Sequence, residues 1–153
     1  MIRMTKSADY GIVLMTQMAE QGGRVFKAVE LSAEAHLPHP TVSKVLKLLA
    51  RSDLLESHRG ANGGYSLARH PDDISVADII TALDGPIGIT ECIDDAPGEC
   101  GREPLCPIKT NTQRINDVVR SALESITLSE MIPDTLPLVR LGDHGAGSTA
   151  RLQ

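Results

Sequence analysis

Apolar residues recur at helical spacing in several stretches of this chain and in short extended runs in between. In residues 6–20, Tyr10, Val13, Leu14 and Met18 fall on one face and Ile12, Met15 and Ala19 on an adjoining one, behind Thr5 or Ser7 as a helix cap. A helix apolar over so much of its circumference belongs at the centre of its domain. Gly22-Gly23 ends it, and Val25-Phe26 suits a short edge strand. The stretch VELSAEAHL predicts a short helix, and Pro38-His39-Pro40 then breaks the chain before a helix over about 40–52. That helix carries Val42, Val45, Leu46 and Leu49 at i, i+3, i+4 and i+7, a buried stripe. Residues 75–83 repeat the pattern with Val76, Ile79, Ile80 and Leu83, started by a capping-box arrangement of Ser75 and Asp78. From Pro107 to about Ile126 a longer helix has Ile108, Ile115, Val118, Val119, Ala122, Leu123 and Ile126 as its seam. TLSEMI adds a last turn, and residues 133–153, with scattered Pro, Gly and single charges, read as a disordered tail.

Between the third and fourth of these helical stretches the period changes. Runs at 54–57 and 64–67 are extended and are joined by a tip containing Arg59, Gly60, Asn62 and Gly63, which predicts a β-hairpin. Two short helices with a tight turn followed by a hairpin make a winged helix-turn-helix. The expected fold is therefore mainly α with a small β-hairpin wing, plus a long C-terminal dimerisation helix. Four regions follow: 1–84, a DNA-binding domain; 85–106, a cysteine-containing loop; 107–132, the dimerisation helix and last turn; and 133–153, the tail.

Composition and charge sharpen this picture. Tyr10, Phe26 and Tyr65 are the only aromatic residues, so the core is aliphatic. The net charge of -5 conceals an asymmetry: residues 1–70 hold nine Lys and Arg against six acids, and the remainder six against fourteen. The basic part is the candidate for a polyanion, although a solvated helix face would carry similar cations. Thr41, Ser43 and Lys44, near the start of the second helix of the helix-turn-helix, are the candidate base readers. Lys47, Arg51, Lys6 and Arg3 are candidates for phosphate contacts, and His39 for either role. At the wing, Arg59 suits a minor groove, while Asn62 and Gly63 let backbone amides approach phosphate. The chain shows neither a signal-peptide pattern nor a membrane-length apolar run, so the expectation is a cytoplasmic protein.

All three cysteines, Cys92, Cys100 and Cys106, fall in one Gly-, Pro- and acid-rich segment with gaps of seven and five residues. An odd number of thiols in a reducing compartment argues for metal or redox chemistry rather than disulfides. Iron–sulfur clusters are held by such thiolates. Structural zinc, the rival, usually shows a gap of about two to four residues within a ligand pair. An enzyme is disfavoured, because no Cys-x-x-Cys, glycine-rich nucleotide loop or paired carboxylate–His arrangement occurs.

RMTKSADYGIVLM near the start, HRGANGGYSL at the wing, and three cysteines ahead of a long helix together resemble the iron–sulfur-sensing winged-helix transcription regulators of the IscR and NsrR type, more narrowly the regulators of the SUF cluster-assembly system. The resemblance covers about residues 2–132. It implies a homodimer that binds an iron–sulfur cluster in each subunit and a roughly palindromic promoter site on double-stranded DNA. The cluster is expected to be 2Fe-2S, with 4Fe-4S open. IscR-like members carry a His three residues after the last cysteine, where this chain has Lys109, and the first cysteine gap is two residues longer than usual. NsrR-like members use an acid near the start of the first helix of the partner subunit, and the register of TKSADY places Asp9 there. Glu91, Asp94, Asp95, Glu99 or a His are the alternatives for the fourth ligand. Ser43 stands where IscR has an acid, so the preferred DNA sequence does not carry over. A winged-helix regulator sensing nitric oxide or oxidants, or binding zinc, would share the same fold.

Overall fold

The computed structural model describes residues 3–89 and 107–133, which hold every structural statement below. Helix α1 (Lys6–Glu20) starts at Thr5, whose hydroxyl oxygen accepts the Ala8 N–H at 3.1 Å and whose O–H reaches the Asp84 carboxylate at 2.8 Å. Ala8, Gly11, Ile12, Leu14, Met15, Met18 and Ala19 are all buried along it, as the broad apolar pattern predicts. Helix α4 (Val76–Asp84), capped by Ser75 and Asp78, crosses α1 at Gly11. A Cβ at that glycine would overlap Leu83 Cδ1 and crowd Ile79 Cγ2 at 3.3 Å, so the close crossing requires the missing side chain.

Helices α2 (Ala28–Glu34) and α3 (His39–Arg51) form the helix-turn-helix. The turn passes through His36 in the left-handed region, φ 53°. It is tied twice to Ser32: the Leu37 N–H donates to the Ser32 carbonyl at 3.1 Å, and the Ser32 hydroxyl donates to the Leu37 carbonyl at 2.7 Å. Pro40 sits in the first turn of α3, where its missing N–H has no intrahelical partner to lose. Val42, Val45, Leu46 and Leu49 are buried, so the stripe read from the sequence is the face α3 turns to the core. The helix stops at a left-handed Asp53, φ 56°, with the Leu54 N–H donating back to the Leu49 carbonyl at 3.1 Å.

The wing consists of β1 (Leu55–His58) and β2 (Gly64–Leu67), antiparallel, with Leu55 opposite Leu67 and His58 opposite Gly64. The first strand lies one residue later than its sequence pattern suggests, because Leu54 is held by the α3 cap. Phe26 adds a third, one-residue strand: its N–H donates to the Tyr65 carbonyl at 2.7 Å and accepts the Tyr65 N–H on its own carbonyl at 2.8 Å. A Cβ at Gly64 would overlap that Phe26 carbonyl, so a glycine is needed where the third strand approaches.

Beyond α4, helix α5 (Lys109–Glu124) packs on α4 and carries half-buried Val119 and Leu123 on the inner side. An adjoining face exposes Ile115 (55%) and Val118 (65%), with Ile108 (60%) at the N-cap, an apolar face with no cover among the described residues. The short helix α6 (Leu128–Met131) returns to the first helices. The Val76 N–H donates to the Ile126 carbonyl at 2.9 Å, the Leu128 N–H donates to the Ile74 carbonyl at 2.7 Å, and Leu128 is fully buried among the α1 residues. Residues that the sequence reading grouped with the long helix thus complete the core of the winged domain. No helix among the described residues is long and apolar enough to cross a membrane.

Two substitutions test this packing. On an open helix Gly→Ala stabilises by about 1 kcal/mol, but Gly11→Ala drives a methyl into Leu83 at an overpacking cost of about 1–3 kcal/mol. Urea unfolding is expected to show a net loss for Gly11→Ala alone and a gain when Leu83→Ala has first made room; a gain in both backgrounds contradicts the close crossing. Leu128→Ala is expected to cost about 2–5 kcal/mol, whereas a loss within about 0.5 kcal/mol, the range of surface substitutions, would place α6 outside the core.

Candidate nucleic-acid interface

Successive residues of α3 are turned by about 100°, so the residues opposite the buried stripe are fixed by the helix itself. Lys44, Lys47 and Arg51 occupy that outer side and are exposed. A shallow groove there is lined by Pro40, Ser43, Lys44, Lys47, Leu48 and Arg51. Thr41 and Ser43, both half-buried, lie on opposite flanks of the helix, and only Ser43 shares the groove with the cations. His39 and Pro40 are exposed at the start of α3. Geometry therefore gathers Ser43, Lys44, Lys47 and Arg51 on one surface and sets Thr41 at its edge.

Arg59 and Asn62 are exposed at the tip of the wing, and Gly63 is half-buried where its N–H donates to the Gly60 carbonyl at 3.0 Å. His58 and Ser66 are joined across the hairpin by a 2.8 Å hydrogen bond. The pairing of Tyr65 with Phe26 roots the wing in the connection between α1 and α2, so the tip and the helix-turn-helix belong to one framework. Tyr65 was visible in the sequence only as part of a motif; its positioning role comes from a backbone pairing that no local pattern encodes.

The remaining cations sort themselves by partner. Arg24 donates to Gln21 Oε1 at 2.6 Å, pairs with Glu30 at 2.7 Å and lies 4.0 Å over the Phe26 ring. Its hydrogen bond to Glu30 holds that carboxyl below its ordinary value, more than burial raises it. Arg69 bonds the Asp73 carbonyl at 3.2 Å and lies 3.9 Å from Asp78, and Arg120 pairs with Glu124 at 2.8 Å. Among the described residues, no ion pair engages Lys44, Lys47, Arg51 or Arg59. Cations left without protein carboxylates on one helix face and one loop tip are available to phosphate.

Lys6 and Asp9 are exposed in the first turns of α1, and the Asp9 carboxylate makes no hydrogen bond or ion pair among the described residues. Arg3 is likewise exposed. Cys92, Cys100 and Cys106, with Glu91, Asp94, Asp95 and Glu99, lie outside the described residues. Within those residues, no group of three or more His, Cys, Asp or Glu is placed to hold a metal ion.

Comparison with known proteins bears on the fold. The family model Rrf2, described as an iron-dependent transcriptional regulator, matches residues 4–134. The HTH-type transcriptional regulator CymR of Bacillus subtilis is 30% identical over 132 residues, covering 85% of this chain and 89% of its own. The solved structure of CymR, described as the global cysteine regulator of B. subtilis, aligns with a TM-score of 0.67 at 29% identity, over 86% of this chain and 97% of its own. IscR of T. potens aligns with a TM-score of 0.65 at 27% identity, over 85% of each chain. The winged helix-turn-helix architecture is common to all of them.

Lys47→Ala is expected to weaken binding to specific and unrelated duplexes alike and to lower the slope of log affinity against log salt by about one. Arg59→Ala is expected to cost about 1–3 kcal/mol on a specific site. Fluorescence anisotropy over a salt series checks both. An unchanged affinity for Arg59→Ala at physiological salt would remove the wing tip from the interface.

Proposed function

This chain belongs to the Rrf2 family of iron-dependent transcriptional regulators, DNA-binding proteins rather than enzymes, and on that premise we propose that it acts as a homodimer sensing iron–sulfur status through a cluster held by Cys92, Cys100 and Cys106. The observation that carries the proposal is the confinement of all three thiols to one segment between the winged domain and α5. The chemistry of this donor set fits such a group: three thiolates close in sequence repel one another and favour a multivalent centre. Cys106 also stands just ahead of α5, whose positive N-terminal end favours a thiolate. Such a cluster supplies a ligation state that depends on iron supply and on oxidants.

Three cysteines leave a fourth position. Lys109 opens α5, and a protonated amine is no ligand. Asp9 of the partner subunit is the proposed fourth ligand, and its exposed, unengaged carboxylate supports this. Ligation there would tie the cysteine segment of one subunit to α1 of the other, and α1 supports α3 directly. The uncovered Ile108, Ile115 and Val118 face of α5 supports pairing of two copies. Two α3 helices would then enter successive major grooves of a roughly palindromic site, about 34 Å apart, with Arg59 of each wing in a flanking minor groove. Cluster-assembly (SUF) genes are the proposed targets.

Anaerobically purified protein is expected to be coloured, with iron and acid-labile sulfide present and with DNA affinity that differs between cluster-loaded and stripped forms on cluster-assembly promoters. The 2Fe-2S form is expected, and its absorption and electron paramagnetic resonance distinguish it from 4Fe-4S. A colourless, zinc-loaded protein would end the cluster reading. Asp9→Ala is expected to shorten the lifetime of the visible absorption and to blunt the DNA response; if both are unchanged, Asp9 is not a ligand.

A further inference from the structure

Most polar side chains of α5 face solvent, but Asn116 does not. It is 4% exposed and is the buried polar residue of the described part of the chain. Its Oδ1 accepts the N–H of Ile89 at 3.2 Å, across 27 positions of sequence. Ile89 is the last described residue before the segment that carries Cys92, Cys100 and Cys106, and that segment ends where α5 begins. One end of the segment is therefore continuous with the N-terminus of α5, and the other is fastened to the same helix at Asn116. The two attachment points are seven residues apart on α5, about 10 Å at the helical rise.

A polar side chain at such low exposure costs stability unless its hydrogen bonds are made, and an aliphatic residue would fill the same space without that cost. A neighbour on α5 shows the alternative: Leu123 serves the inner face by packing alone. An amide at this position is explained by what it holds.

We propose that Asn116 is the positioning residue that fastens the entrance of the cysteine segment to the dimer helix α5, so that strain in the segment reaches α5 at two points instead of one. This rests on the reading of the segment as the sensor. With only the covalent attachment at the start of α5, a change in the segment is free to dissipate in the 85–89 connection. With both ends on one helix, such a change must tilt or shift α5, and α5 bears on α4, which crosses α1 at Gly11. Asn116 is thus the link between thiol chemistry and the DNA-reading unit that lies within a single subunit.

The full-length protein tests this in two stages. In the metal-free wild type, amide hydrogen exchange at Ile89 is expected to be protected to the level of the α5 amides; exchange at the rate of an unfolded peptide overturns the proposal without any variant. In Asn116→Leu, which keeps the branched heavy-atom outline and removes the acceptor, exchange at Ile89 is expected to accelerate about tenfold, the order set by loss of one buried hydrogen bond. Ile79 in α4 reports the global fold and is expected to keep its protection. In loaded protein the same variant is expected to lose its visible absorption to a chelator severalfold faster than wild type, and its affinity for DNA to respond less to that loss. An Ile89 amide that speeds up while cluster lifetime and DNA response stay at wild-type values overturns the coupling. If wild-type protein never holds a cluster, the sensor reading fails by itself, whereas Ile89 protection still reports the anchor.

Discussion

The crossing of α1 and α4 at Gly11 sets the position of everything else. With no side chain between them, Leu83 and Ile79 pack directly on the backbone of α1, and the Thr5 hydroxyl bonds Asp84 at the end of the same contact. Because protein interiors are close-packed, a displacement there is passed on rather than absorbed. On its other sides α1 meets α3, α6 and β2. One helix therefore joins the DNA-reading unit, the wing and the returning C-terminal residues. Its first turns also present Asp9.

That arrangement separates two uses of charge. Arg24, Arg69 and Arg120 are spent on carboxylates or carbonyls of the same chain, and each fixes a local connection. Among the described residues no ion pair engages Lys44, Lys47, Arg51 or Arg59; the first three face outward from a helix whose opposite side is committed to the core, and Arg59 stands at the wing tip. The chain is acidic overall, at -5, yet the unpaired cations of α3 are gathered locally. Local density of unpaired cations decides binding to phosphate.

In the proposed reading, the sensor signal enters at α5 and DNA is read at α3. The cysteine segment departs from the end of the α4 region and returns at α5, and Asn116 joins its entrance to that helix. The proposed DNA face lies on α3 and the wing. Between α5 and α3 stand α4 and α1, in contact along the Gly11 crossing. A packed route joins the two ends: α5, α4, α1 and α3 touch in that order.

The order and type of the elements were legible from periodicity alone. The α1 pattern, the Val42–Val45–Leu46–Leu49 stripe and the Ser75–Asp78 cap appear where their local signals put them, and the hairpin does so with its first strand one residue later. Each of these depends on neighbours within a few residues, which is the range over which a sequence can be read directly. The exposed cations of α3 followed from the stripe, since helix geometry fixes the opposite face. What the sequence could not supply were pairings between distant positions: Phe26 with Tyr65, Thr127 with Ser75, Leu128 into the first domain's core, and Asn116 with Ile89. TLSEMI looked like an appended turn because nothing local distinguishes a helix that caps its own domain from one that continues away from it. No local signal marks Asn116 as buried either, for the same reason. Periodicity says which side of an element seeks cover; only the tertiary structure decides what covers it, because that choice is made by packing energy summed over residues far apart in the chain.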